Sequence, residues 1–142
     1  MYLLDTNVVS ELRKVRTGKA DQHVSAWSDS VDAWELCVSA VTVEELEIGV
    51  LRMERRDTAQ GVLFRRWLDD QVMPAFADRV LPVDTNVARR SAGLHVPDPR
   101  PIRDGFIAAT ALVHSLVLVT RNVADFEPMG VRLLNPWASN SE

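Results

Sequence analysis

Four acids in this chain stand where short apolar runs give way to helical patterns, at Asp5, Glu45, Asp104 and Asp125. Tyr2-Leu3-Leu4 ends on Asp5, and the β-forming run from Leu36 to Val41 leads into Thr42-Val43-Glu44-Glu45. Asp104 opens a helical pattern whose apolar face is Phe106, Ile107, Ala111 and Leu112, and Asp125 follows Thr120-Arg121-Asn122 after the apolar run from Leu116 to Val119. Carboxylates at the carboxyl ends of parallel strands lie where open α/β sheets bind ligands. An all-oxygen set with no Cys or His nearby in sequence suits Mg²⁺, with Mn²⁺ as a possible substitute, rather than Zn²⁺. Such ions activate water and neutralise the charge that builds on a phosphate, which is the chemistry of phosphodiester hydrolysis.

Each acid also has a purely local reading. Asp5 could make an Asx-turn that starts the next helix. Thr42-Val43-Glu44-Glu45 fits a capping box, with Glu45 returning a hydrogen bond to the cap. Asp104 complements a helix dipole by ~0.3–1 kcal/mol, and Asp125 could cap a turn before Phe126. Taken together these readings are uncomfortable. At ~4 Å and an effective dielectric of 20, each like-charged pair costs about 4 kcal/mol. Two such pairs approach the ~5–15 kcal/mol by which a domain is stable. Either some of the acids hold protons or a cation sits among them.

The elements that must position these acids follow from hydrophobic periodicity. Strand-like runs at Tyr2 to Leu4, Leu36 to Val41, Val80 to Val83, Leu116 to Val119 and Val131 to Leu134 alternate with helical patterns. That order predicts βαβ units and a mainly parallel sheet of four to five strands in an α/β fold. Pro82 assigns the Val80 run to an edge. Helices are expected through Val8, Val9 and Leu12, from His23 to Asp29, from Thr42 through Val43, Leu46 and Val50, from Thr58 to near Pro74, from a Thr85 cap through Leu94, and from Asp104 to His114. The third and fourth of these read as an αα-hairpin. Val15 to Asp21 reads as a cationic loop, and the prolines at 97, 99 and 101 stiffen another. No domain boundary is visible, so residues 1–137 are expected to form one domain, with 138–142 a polar tail.

Composition sets outer bounds. The 142 residues are 46% hydrophobic and 25% charged, which suits a globular domain with a sizeable core. A net charge of -4 repels polyanions as a whole, yet screening confines that effect to about 8 Å. A local cationic rim is available in Arg13, Lys14, Arg16, Lys19, Arg100, Arg103 and Arg121, each of which could equally be a solvated surface charge. Cys37, the single cysteine, reads as a buried small hydrophobe. His23, His95 and His114 follow no metal spacing, and the four tryptophans read as core or interface residues. With no basic segment ahead of an apolar one at the start and no run near ~20 apolar residues, the expectation is a cytoplasmic protein without a membrane contact.

The stretches LLDTNVVSE, SAVTVEELEIGV and RDGFIAATALVHSLVLVTRNVADF, followed by NPW, together resemble the PIN-domain family. More narrowly, they are similar to VapC-type toxins of VapBC toxin–antitoxin systems. The resemblance covers nearly the whole chain and implies a PIN-like three-layer α/β/α sandwich and a Mg²⁺-dependent endoribonuclease acting on a cellular RNA such as tRNA or rRNA. It puts the family's acids at Asp5, Glu45 and Asp104, with Asp5 and Asp104 touching metal and Glu45 acting nearby through a water or as a base. Many relatives carry an Asp directly after Thr-Arg, whereas this chain has Asn122, and Asp125 would take over that place. Thr6, Asn7, Thr120 and Asn122 would support the acids by hydrogen bonds. The implied partners are a VapB-like DNA-binding antitoxin, whose tail supplies an Arg to the acids, and a second copy in a homodimer. Two other readings stand beside this one. In the first, the altered fourth position leaves a nearly inactive regulatory module acting through its DNA-binding partner. In the second, a small-molecule phosphatase, an Asp is expected two residues after the first acid, where this chain has Asn7.

Overall fold

The computed structural model describes residues 1–138; of the expected polar tail, residues 139–142 lie outside the described residues. Five strands form one sheet, β1 (Tyr2–Leu4), β2 (Leu36–Ser39), β3 (Val80–Leu81), β4 (Val117–Val119) and β5 (Leu133–Leu134), in the order β3-β2-β1-β4-β5. Every pairing is parallel, with Tyr2 opposite both Leu36 and Val117. All five carboxyl ends therefore open on one side. β3 is an edge, as Pro82 requires, and the strands are shorter than the apolar runs that contain them.

The helices are α1 (Thr6–Leu12), α2 (Gln22–Asp29), α3 (Ala40–Arg56), α4 (Thr58–Trp67), α5 (Met73–Ala75), α6 (Thr85–Leu94), α7 (Ile102–Val113) and α8 (Val123–Phe126). A wide π-type turn, Leu68–Val72, joins α4 to α5. The cationic loop contains one tight helical turn, Val15–Thr17. Alternation along the strands divides the core into two layers. Leu3, Cys37 and Leu118 face Ile107, Ala108 and Ala111 of α7. Leu4, Val38 and Val119 face Val8 of α1 and Leu46 and Val50 of α3. The small residues of α7 bring its backbone close to the sheet. This is the expected α/β/α sandwich, and among the described residues no helix is long and apolar enough to cross a membrane.

α4 starts at Thr58 as expected, while α3 and α6 are capped upstream of the Thr expected to open or cap them. α3 begins at Ala40 rather than Thr42, because Ser39 Oγ accepts from the Val41 amide at 3.0 Å. The run from Leu36 thus leaves the sheet two residues early, and Thr42 is buried inside the helix. Asp57 caps α4 and Asp84 caps α6, each through its side chain, one residue ahead of Thr58 and Thr85. In each case a residue upstream of the Thr reaches the free amides first, and the Thr becomes helical. Cys37 is buried, which pushes its thiol up. Among the tryptophans, Trp27 meets Tyr2 edge-on at 5.4 Å, while Trp34 is 62% exposed and belongs to no core.

Candidate functional site

Asp5 sits at the end of the central strand, buried, with both carboxylate oxygens hydrogen-bonded. One oxygen accepts from the Thr6 amide at 2.8 Å and so caps α1; the other accepts from Thr120 Oγ1 at 2.8 Å. Asn7 Nδ2 stands 3.4 Å from that second oxygen, a weak contact. The helix-starting role and a place at the sheet mouth are therefore compatible. Burial pushes the Asp5 carboxyl up; hydrogen bonds from Thr120 and Thr6 oppose this, and Glu45 adds to it.

Glu45 does not return to any cap. Its Oε1 accepts from Thr6 Oγ1 at 2.6 Å, a contact that links α3 to α1 across the pocket. Thr6 Oγ1 also lies 3.4 Å from Thr42 Oγ1. The capping-box reading of Thr42–Glu45 is thus overturned: with Ser39 as the cap, Glu45 lies too far into α3 to reach back.

Asp104 lies in the first turn of α7, two residues after its start at Ile102. Its carboxyl is pushed up to about 6, first by burial and then by the charges of Asp5, Glu45 and Asp125. Asp104 is thus near enough to feel three other carboxylates, from the end of β1, from α3 and from α8, and it lines one groove with Glu45 while Thr6 joins Glu45 to Asp5. Asp125 is one of the three while remaining exposed. Asn122 is also exposed; its amide donates to Thr120 Oγ1 at 3.0 Å, and its carbonyl accepts from the Asp125 amide at 3.1 Å. Asn122 thus shapes the loop that presents Asp125. Asn7 Oδ1 accepts from the Arg121 amide at 3.3 Å, which ties that loop to α1.

The acids are neighbours, but they do not form a closed cage. Among the described residues no three of His, Cys, Asp and Glu converge closely enough to enclose an ion. Mg²⁺ does not need such a cage; it is commonly held by one or two carboxylates, several waters and the substrate's phosphates. The donor set fits that mode: oxygen ligands only, in a pocket where burial first and neighbouring carboxylates second raise Asp104 and Asp5.

Two grooves meet at Glu45. One, of about 790 Å³, is lined by Glu44, Glu45, Arg103, Asp104, Ile102 and Phe106, and Arg103 Nε lies 3.0 Å from Glu44 Oε1 across it. The other, of about 470 Å³, extends from Thr6 and Glu45 toward Trp67 and Trp137.

Sequence reasoning missed two contributors. Gly105, directly after Asp104, is buried where α7 crosses α6; a Cβ there would stand 2.9 Å from His95 Nε2 and 3.1 Å from Ser91 Oγ. His95, assigned no chemistry, closes the proline-rich loop by accepting from the Arg100 amide at 3.0 Å through Nδ1. The Asp-Gly step was the available signal for the first; nothing local pointed to the second.

A model of the PIN domain family matches residues 2–127 of the chain. VapC ribonuclease Y4jK of Sinorhizobium fredii is 39% identical over 142 residues, covering 96% of this chain and 98% of that protein. Toxin FitB of Neisseria gonorrhoeae is 38% identical over 143 residues, covering 96% and 99% respectively. Among solved structures, FitAB bound to an IR36 DNA fragment superposes with a TM-score of 0.88 at 32% identity, over 99% of both chains.

Proposed function

The chain belongs to the PIN domain family, and from that premise we propose that it is a metal-dependent endoribonuclease, the toxin half of a toxin–antitoxin pair. Ribonucleases of this family are generally metal-dependent. The identity of the ion as Mg²⁺, the roles of the individual acids and an RNA substrate such as tRNA or rRNA are parts of the proposal. The observation that carries it is the field that Asp5, Glu45 and Asp125 exert on Asp104, with no cation of the protein's own paired to Asp5, Glu45 or Asp104 among the described residues.

In this reading Asp5 and Asp104 would hold the ion, which would supply charge neutralisation at the scissile phosphate and make an attacking water more acidic. Thr120 and the Thr6 amide fix Asp5 in one rotamer, so that its orientation does not have to be established at the moment of reaction. Glu45, oriented by the Thr6 hydroxyl, accepts the proton of the attacking water. Asp125 adds negative charge at the rim, the duty that Asn122 cannot perform.

The partner follows from the same electrostatics. An antitoxin that brings an Arg into the pocket would relieve the repulsion among the acids and block the ion's place together. The relatives support this: Toxin FitB is named as a toxin, and the FitAB structure is a complex on DNA. A homodimer and a DNA-bound hetero-oligomer belong to the same proposal.

Purified chain incubated with total RNA and Mg²⁺ or Mn²⁺ tests it. Discrete cuts that vanish with chelator and with Asp5→Asn are expected. Intact RNA across both ions would instead support a regulatory module acting through its partner.

A further inference from the structure

The groove of about 470 Å³ on the far side of Glu45 holds groups that phosphodiester cleavage does not use. Arg13 lies with its guanidinium 4.4 Å from the centre of the Phe64 ring, and Arg121 lies 5.2 Å from the centre of the Trp137 ring. All four residues line the groove, as does Trp67. Within the groove Lys14 is paired to Glu11, and outside it Arg65 is held by Glu47, Glu54 and Asp69 and Arg103 by Glu44. Among the described residues Arg13 and Arg121 have no such partner. The groove is continuous with the acids, since Thr6 and Glu45 belong to its lining.

We infer that this groove is a nucleotide-binding subsite, which takes one unstacked base of single-stranded RNA beside the acids. The inference rests on the ribonuclease reading and adds to it the place where a base is gripped. Two planar guanidiniums seated on aromatic rings offer stacking surfaces that any base can use. The same guanidiniums, free of carboxylates, are available to the adjoining phosphates. The volume falls in the ~300–1,000 Å³ range of small-ligand sites. Charge selects the occupant. The lining sets Arg13, Lys14 and Arg121 against Glu11 and Glu45, and with Lys14 taken up by Glu11 the two cations left without a carboxylate favour an anionic occupant over a cationic segment. The exposed hydroxyl of Ser10, also in the lining, is a polar group that can discriminate between base edges.

The test separates the subsite from the chemistry. The Asp104→Asn chain without metal is titrated with the four ribonucleoside 5′-monophosphates and, as a baseless probe, ribose 5-phosphate, while tryptophan fluorescence is followed. Saturable quenching by at least one nucleotide and none by the sugar phosphate is expected. Phe64→Leu and Arg121→Gln, each checked by thermal melting to be folded, should weaken it about tenfold, the scale of losing one stacking contact. In the otherwise wild-type chain with Mg²⁺, the same two variants should change which base is preferred next to the cut. Equal quenching by ribose 5-phosphate, no quenching at all, or an unchanged base preference in both variants would overturn the subsite. Quenching only by a basic, apolar peptide would also overturn it and give the groove to a protein partner. A wild-type chain that cuts no RNA would sink the ribonuclease reading instead, whatever the titration shows.

Discussion

Two clusters of carboxylates in this molecule are built from the same residue types and behave oppositely. On the α3–α4 hairpin, Glu47, Glu54 and Asp69 surround Arg65, with the shortest contact 2.6 Å to Glu47. The guanidinium holds the Glu47 carboxyl below its ordinary range, and the carboxylates in turn raise Arg65. At the mouth of the sheet, Asp5, Glu45 and Asp125 act on Asp104 with no such cation, and burial and neighbouring carboxylates push Asp5 and Asp104 up. The hairpin cluster is gathered around a cation, and its contacts serve stability. The sheet cluster is left without a cation, and neighbouring acids of which one is buried and two partly so cost stability unless something external completes them.

That contrast is broken most sharply by removing a charge from the sheet cluster. Asp104→Asn should lower RNA cleavage at least about a hundredfold, the scale of losing one preorganised charge at a reacting centre, while raising the melting temperature of the metal-free chain at neutral pH. Cleavage assays and thermal melts on the same preparation check both; a fall in both quantities would mean that Asp104 is a structural acid. Gly105→Ala should come next. Its Cβ would force apart α7, His95 and Ser91, with an overpacking cost of about 1–3 kcal/mol, and would move Asp104 with the helix. Denaturant unfolding should record the loss, and activity should drop further than the loss of folded protein explains.

The third expectation concerns pH. The Asp104 carboxyl lies at about 6 in the folded chain against 3.8 for the ordinary group. Between those values the folded state keeps a proton that the unfolded state has released, so this group's contribution to stability is present at low pH and is lost as pH rises through about 6. Bound Mg²⁺ competes with that proton, and the stabilisation it gives should grow over the same interval. Melts in chelator and in excess Mg²⁺, taken from about pH 4 to about pH 7, should diverge as pH rises; parallel curves would speak against Asp104 as a ligand. The smallest effect belongs to the hairpin cluster. Arg65→Met should lower stability modestly, less so at high salt, and leave the RNA cuts in place.

Much of the candidate site was readable from local sequence, and the reason is geometric. A carboxylate that ends an apolar run stays at the end of the strand in any parallel sheet, so Asp5 could be placed at the mouth from order alone, whereas Asp104 opens a helix after the proline-rich loop and was placed by the family motif. Glu45 could not, because Thr42-Val43-Glu44-Glu45 satisfies a local rule that competes with the pocket. That competition was resolved by Ser39, which sits in the β2 run and reaches the Val41 amide first. Asn122 and Asp125 stayed ambiguous for a similar reason: a loop's shape depends on what holds it, here Thr120 below and Asn7 of α1 alongside.

What the chain carries in its own order is therefore the alternation of strands and helices, the common direction of the strand ends and the acidic character of that end. These depend on hydrophobic period and chain direction, which are properties of a few consecutive residues. What had to wait for folding is the company each acid keeps. Thr120 reaches Asp5 across 115 residues and Thr6 reaches Glu45 across 39. Such pairs exist only once β1 lies between β2 and β4 in register, because a hydrogen bond is decided within a few tenths of an ångström and no local pattern sets distances between remote segments that finely.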